Sequence, residues 1–167
     1  MSLAVAAAGS VDEVSDGRAA DPLVRLERVG KTFANGTVAL SGLDLAIGRH
    51  EFVSLLGPSG CGKSTALRLI AGLSRPTAGR ITGPEGAPRG AVGFVFQEPT
   101  LMPWATVFDN VWLPLRLQGI GRRQAERPVG EALAMVGLAE FARAFPRELS
   151  GGMKMRVSIA RALVTRP

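Results

Sequence analysis

The stretch GPSGCGKST, residues 57–65, constrains this chain more than any other. It satisfies the pattern G-x-x-x-x-G-K-[ST], whose spacing has a physical reason. Glycines at 57, 60 and 62 let the backbone curl so that successive N–H groups point inward at phosphate oxygens. A helix starting immediately afterwards adds the positive end of its dipole. Lys63 then offers a mobile charge to the β- and γ-phosphates, and Ser64 offers a hydroxyl to Mg2+. The flanks agree with this reading. FVSLLG (52–57) is a short continuous apolar run, as expected of a parallel strand buried on both faces. KSTALRLIAGLSRP (63–76) puts Leu67, Ile70 and Ala71 on one helical face, with Gly72 and Pro76 as stop signals. VGFVFQ (92–97) reads as a second buried strand, so strand, loop, helix and strand make a βαβ unit with a right-handed crossover.

Elsewhere the texture changes twice. Residues 1–22 are small, polar and unpatterned, which predicts a flexible tail; LAVAAAG (3–9) lacks the basic segment of an export signal. VRLERV (24–29) and LDLAI (43–47) alternate apolar with polar residues, as strands covered on one face do. The Gly- and Pro-rich segment 79–90 reads as turns and loop. From Thr106 the pattern is helical. Thr106 to Asp109 matches a capping box, Val107, Val111 and Leu115 share a face, and Pro114 is expected to kink or end that helix. A second helical stretch covers 131–136. A last helix begins at Ser150 and carries Val157, Ala160, Leu163 and Val164 along one side.

Composition narrows the function classes. The chain of 167 residues, 46% hydrophobic and 20% charged, fits one ordinary globular domain, and no apolar run reaches bilayer length. Membrane contact is therefore expected to be peripheral or through a partner. The net charge of +6 invites a nucleic-acid reading, but seventeen of the twenty basic residues are dispersed arginines, aromatics make up 5%, and Tyr is absent. No basic stripe interleaved with stacking rings is visible, so no nucleic-acid partner is expected. A single cysteine, Cys61, excludes an internal disulfide and suits a reducing compartment.

The other signal is LSGGMK (149–154): Ser150 caps a helix while Gly151 and Gly152 expose backbone N–H groups at its start, forming a second anion site. Taken together, these segments resemble the ATP-binding subunits of ABC transporters from about Leu23 to the end. GPSGCGKST matches the Walker A motif, GFVFQE places Gln97 at the Q-loop, and LSGGMKMRVSIARAL matches the family signature and its helix. The resemblance implies an α/β P-loop NTPase fold with an antiparallel β-subdomain and P-loop core (23–98) and a helical subdomain with the signature helix (99–167). It implies ATP and Mg2+ as ligands. Gly57, Ser59, Gly60, Cys61, Gly62, Lys63, Ser64 and Thr65 would hold the phosphates, Phe33 would stack on adenine, and Ser64 and Gln97 would attend Mg2+. Gln97 would also touch the transmembrane partner. Ser150, Gly151 and Gly152 would close on a second subunit's nucleotide in a head-to-tail dimer.

Within that family, EPTLMPWATVFDNVWLPLRLQG (98–119) resembles importers of nitrate, sulfonate and taurine. This implies a permease, a periplasmic or lipoprotein solute-binding protein acting through it, and a place on the cytoplasmic face of the cell membrane. Met153 stands where the family commonly has Gln, which leaves contacts made by the serine and the backbone intact; the departure at Met155 has no reading. The family's Walker B Asp, catalytic Glu and switch His all follow the signature helix, whereas here the last acidic residue is Glu148. His50 precedes the loop, and Glu98 sits at the Q-loop. The sequence thus reads as the front part of an ABC ATPase with an incomplete RecA-like core. The expectations are low stability alone, weak or absent ATP binding, and no hydrolytic competence. The alternatives are a soluble ABC ATPase acting on nucleic acid or translation, and a truncated, non-hydrolysing regulator.

Overall fold

Apolar alternation builds the first unit of the computed structural model, which describes residues 4–8, 22–83 and 92–167. The chain divides into two units, Met1–Ala87 and Pro88–Pro167. The first carries β1 (Ala4–Ala8), β2 (Val24–Thr32), β3 (Val38–Ile47), β4 (Phe52–Leu56), α1 (Lys63–Ile70) and β5 (Ala78–Thr82). Its strands form two antiparallel sheets, in the orders β3-β2-β5 and β1-β4. On β3, half-buried Leu43, Leu45 and Ile47 alternate with exposed Asp44 and Ala46, as the pattern predicts. On β2 the alternation breaks, because Leu26 and Val29, three residues apart, are both buried. Arg28 lies between them at φ 46, and its N–H donates to the Asp44 carboxylate at 2.7 Å. This bulge resets the register and brings both side chains into one cluster with Leu40, Ala66 and Leu69.

Four expectations for this half of the sequence are corrected. β4 is not a parallel strand buried on both faces: it pairs antiparallel with β1, and Phe52 and Leu56 are 71% and 54% exposed. Part of the expected tail is therefore a strand, since ladder pairing uses backbone groups and needs no side-chain pattern; residues 9–21 lie outside the described residues. Within the expected loop, β5 pairs with β2 instead, and 84–90 lie outside the described residues. Gly79 makes that pairing possible, with φ +77 and a position where a Cβ would stand 2.3 Å from the Arg28 carbonyl oxygen. Finally, α1 buries Ala66 and Leu69, leaving Leu67 outward, so the inward face lies one residue earlier than the apolar pattern suggests.

The second unit is helical: α2 (Val107–Leu117), α3 (Arg122–Met135) and α4 (Gly151–Leu163), with single-turn 3₁₀ segments at Ala139–Phe141 and Pro146–Glu148. Val107, Val111, Leu115, Val129, Leu133, Leu138, Val157 and Ala160 form its core. Thr106 caps α2 as predicted, accepting the Asp109 N–H at 3.2 Å, and its hydroxyl donates back to the Asp109 carboxylate at 2.6 Å. Pro114 does not end α2, and α3 begins nine residues before the stretch predicted for it. Buried Asn110, four residues before Pro114, anchors the preceding loop: it accepts the Met102 N–H at 2.8 Å and donates to the carbonyls of Met102, Ala105 and Thr106. On α4, Val157, Ala160 and Val164 are buried as expected, but Leu163 faces outward.

VGFVFQ is not a strand. Residues 93–96 have no regular structure, and Val92, Val95 and Phe96 are exposed. A parallel strand needs neighbours for its N–H and C=O groups, and the described residues of this unit contain no strand to supply them. The predicted parallel βαβ pairing is thus absent among the described residues. The segment lies in the same compact unit as the helices, Pro88–Pro167.

Candidate functional site

The phosphate-loop residues 57–62 link β4 to α1, and the predicted curl is present. Gly57, Gly60 and Gly62 have φ of 150, 79 and 98. Gly62 is also sterically fixed, since a Cβ there would lie 2.4 Å from the Ala39 carbonyl oxygen and 2.7 Å from Leu40 Cδ2. β3 thus presses on the loop and sets where α1 begins. No side chain caps α1 and its first turn holds no acidic residue, so the N–H groups at its start and the positive end of its dipole face outward together. The Lys63 ammonium folds back over the loop, donating to the carbonyls of Gly57 at 2.6 Å and Pro58 at 2.7 Å, with Cys61 Sγ at 3.6 Å. Ser59 and Ser64 are exposed; Thr65 is half-buried.

These groups fit a polyphosphate: uncapped donors, a positive helix end and one cation with reach. For Mg2+ the fit is narrower. Among the described residues no cluster of three His, Cys, Asp or Glu could hold a metal. The ion suited to Ser64 is one that arrives on the phosphates and keeps much of its water. Phe33, at the end of β2, is not a core residue but 43% exposed, in a tight turn closed by the Phe33 N–H to the Thr37 carbonyl at 2.9 Å. The Lys31 ammonium stands 5.8 Å from its ring centre.

Ser150, Gly151, Gly152 and Gln97 lie in the second unit. Ser150 caps α4, accepting the Met153 N–H at 3.3 Å. Gly151 and Gly152 begin the helix exposed, and a Cβ on either would meet nothing within 4 Å. No described residue therefore requires glycine there, although in the first turn each costs α4 some part of the roughly 1 kcal/mol that glycine costs against alanine in a helix interior. Met153 packs on the helical core, while Met155 Sδ accepts from the Ser158 hydroxyl at 3.4 Å, a small packing role for the departure that had no reading. Gln97 and Glu98 are exposed, as is His50, which sits at φ 60 between β3 and β4. An open cleft of about 530 Å3 between 92–94, α2 and α4 contains none of the predicted site residues.

Sequence reasoning passed over Arg161. On α4, it donates to the carbonyls of Pro99 at 3.0 Å and Thr100 at 2.9 Å and to the Thr100 hydroxyl at 2.9 Å. Burial pulls its pKa below the usual arginine value. A lone arginine on a helix pattern carries no sign of such partners sixty residues away.

Comparison with known proteins adds a family and a set of relatives. The ABC transporter family model matches residues 40–167. The nitrate import ATP-binding protein of Synechocystis sp. is 48% identical over 149 residues, 85% of this chain and 54% of that protein. The spermidine/putrescine import ATP-binding protein of Rubrobacter xylanophilus is 47% identical over 150 residues, covering 86% and 40%. The aliphatic sulfonates import ATP-binding protein of Paraburkholderia xenovorans is 46% identical over 162 residues, covering 96% and 45%. The chain thus spans about half the length, or less, of these relatives. Among solved structures, a dimeric bacterial ABC transporter cassette is similar with TM-score 0.73 and 36% identity, over 86% of this chain and 70% of that one. A post-hydrolysis dimer of such a cassette, bound to ADP and Pi, gives TM-score 0.72 at the same identity.

Proposed function

We propose, from the premise that this chain belongs to the ABC transporter family, that it binds ATP as part of the energising subunit of a membrane importer. The observation that carries this is the loop at 57–62: an uncapped helix start, three glycines at positive φ, and the Lys63 ammonium held over the loop carbonyls. ATP enters with its phosphates on the N–H groups at the start of α1, and Lys63 leaves Gly57 and Pro58 for the terminal phosphates. Ser64 and Gln97 attend Mg2+, which supplies charge neutralisation on the phosphates. Phe33 offers an exposed ring to adenine.

The exposed start of α4 takes a second subunit's nucleotide. Two glycines that no described residue requires support this, because a bare helix start lets a phosphate approach the backbone closely. The assembly is a head-to-tail pair of ATPase subunits docked on a permease at the cytoplasmic face of the membrane, served by a solute-binding protein. Hydrolysis belongs to that assembly. The described residues contain no helix long and apolar enough to cross a membrane, which agrees with a peripheral subunit.

For the solute, the segment 98–119 favours a small anion such as nitrate, a sulfonate or the zwitterion taurine. A polyamine is the second reading, supported by a spermidine/putrescine importer's 47% identity beside the nitrate importer's 48%. Two measurements decide the proposal. Equilibrium binding of MgATP should fall about 10- to 100-fold in Lys63→Ala, the loss of one charge-assisted contact; unchanged affinity refutes the site. Ser150→Arg should leave binding by single subunits intact and abolish ATP-dependent pairing; persistence of the pair refutes the role given to α4. Uptake of labelled nitrate, taurine and spermidine by cells with and without the gene separates the solutes.

A further inference from the structure

One half-buried cation joins the two segments of the second unit to which the proposed function assigns nucleotide roles. Arg161 lies on α4, eleven residues after the Ser150 cap, or about 16 Å along the helix axis. Its guanidinium makes three hydrogen bonds to Pro99 and Thr100, the residues that follow Gln97 and Glu98. Thr100 has φ 47, a left-handed conformation that a β-branched residue adopts at a cost. Such a residue stays there only when its surroundings over-determine it, and two of the three bonds go to Thr100 itself. Among the described residues Arg161 has no ion pair, so its fork is devoted to this backbone. On the far side of the same loop, Asn110 fixes Met102 and Ala105 to α2. The loop is thus held at both ends while Gln97 and Glu98, just before it, remain exposed.

We infer that Arg161 is a positioning residue: through the segment Pro99–Thr100 it fixes where Gln97 is presented relative to the start of α4. The inference rests on the roles proposed above for Gln97 and Ser150. α4 is the rigid arm of the device. Its first residues meet the partner's nucleotide, and its Arg161 holds the root of the segment that carries Gln97. A displacement of the helix start is therefore delivered to Gln97 rather than absorbed by a slack loop. A lysine at this position would carry the charge but could not span two carbonyls and a hydroxyl with a planar fork.

The test compares Arg161→Met, Arg161→Lys and Arg156→Met in the full chain assembled as its cell makes it. Arg156 is the matched control: it also lies on α4 and donates to a carbonyl, but that of Val136, at 3.0 Å, which follows α3 rather than Gln97. Amide hydrogen exchange is followed by mass spectrometry, and MgATP turnover is measured over a range of ATP concentrations. In Arg161→Met, exchange at residues 100–105 should rise about tenfold with α2 and α4 unchanged. Turnover should fall about tenfold with KM for ATP within twofold, because the phosphate loop is untouched. Arg161→Lys should recover part of both, and Arg156→Met should match wild type. Unchanged exchange at 100–105, or the same losses in Arg156→Met, overturns the inference. If Arg161→Met does not fold, exchange in Arg161→Lys decides alone. If wild type shows no MgATP turnover, the proposed function fails, while the exchange result still decides whether Arg161 holds the loop.

Discussion

Replacing Gly62 by alanine tests how the phosphate loop is seated. Two costs are added at once. At φ +98 an L-residue pays about 1–2 kcal/mol for a left-handed backbone. Its Cβ would also stand 2.4 Å from the Ala39 carbonyl oxygen, and since that atom is backbone of β3, a strand must move rather than a side chain. Overpacking of this kind costs roughly 1–3 kcal/mol, for a sum of about 2–5 kcal/mol. Gly60 provides the control: its φ is +79 but a Cβ there meets nothing within 4 Å, so Gly60→Ala should cost only the backbone part, about 1–2 kcal/mol. Trp104 and Trp112 both lie in the second unit, so the first unit holds no tryptophan to report this change locally. Hydrogen exchange of β2 and β3 amides in increasing urea reads the first unit directly. If Gly62→Ala lies within about 0.5 kcal/mol of wild type, or costs no more than Gly60→Ala, the seating of the loop on β3 is wrong.

Other outcomes follow from the second unit. Gly151→Ala should stabilise α4 by up to about 1 kcal/mol, because its Cβ meets open space, while weakening ATP-dependent pairing of subunits; urea unfolding and light scattering read the two effects, and a loss of stability refutes the geometry. Asn110→Ala strands the Met102 N–H and frees the 102–106 loop, for a loss of about 2–4 kcal/mol and faster exchange there. The Glu131 carboxyl is held below its ordinary pKa first by the Arg127 hydrogen bond, with Arg166 adding a smaller effect. Its contribution is therefore present above the ordinary glutamate range and lost as pH falls through the depressed value. Because all three groups are exposed, Glu131→Gln should barely change melting at pH 7 and should slightly flatten the decline on acidification, as read by melting temperature against pH.

What the sequence determined by itself was chemistry encoded in short range. The loop at 57–65, the caps at Thr106 and Ser150 and the alternation of β3 depend on neighbours a few residues apart, so residue type and spacing suffice to read them. The family resemblance was legible for the same reason. Tertiary structure alone decided what depends on distant partners. Arg28 makes its bulge against Asp44, and Gly79 is required by the carbonyl of Arg28, so neither β2's broken alternation nor β5 could be read locally. VGFVFQ has the composition of a buried strand, but a strand is stabilised by its neighbours, and the described residues of its unit contain none. The hold of Arg161 on Thr100 is of the same kind: an arginine's role is set by where the fold puts acceptors, and a linear pattern contains no record of that.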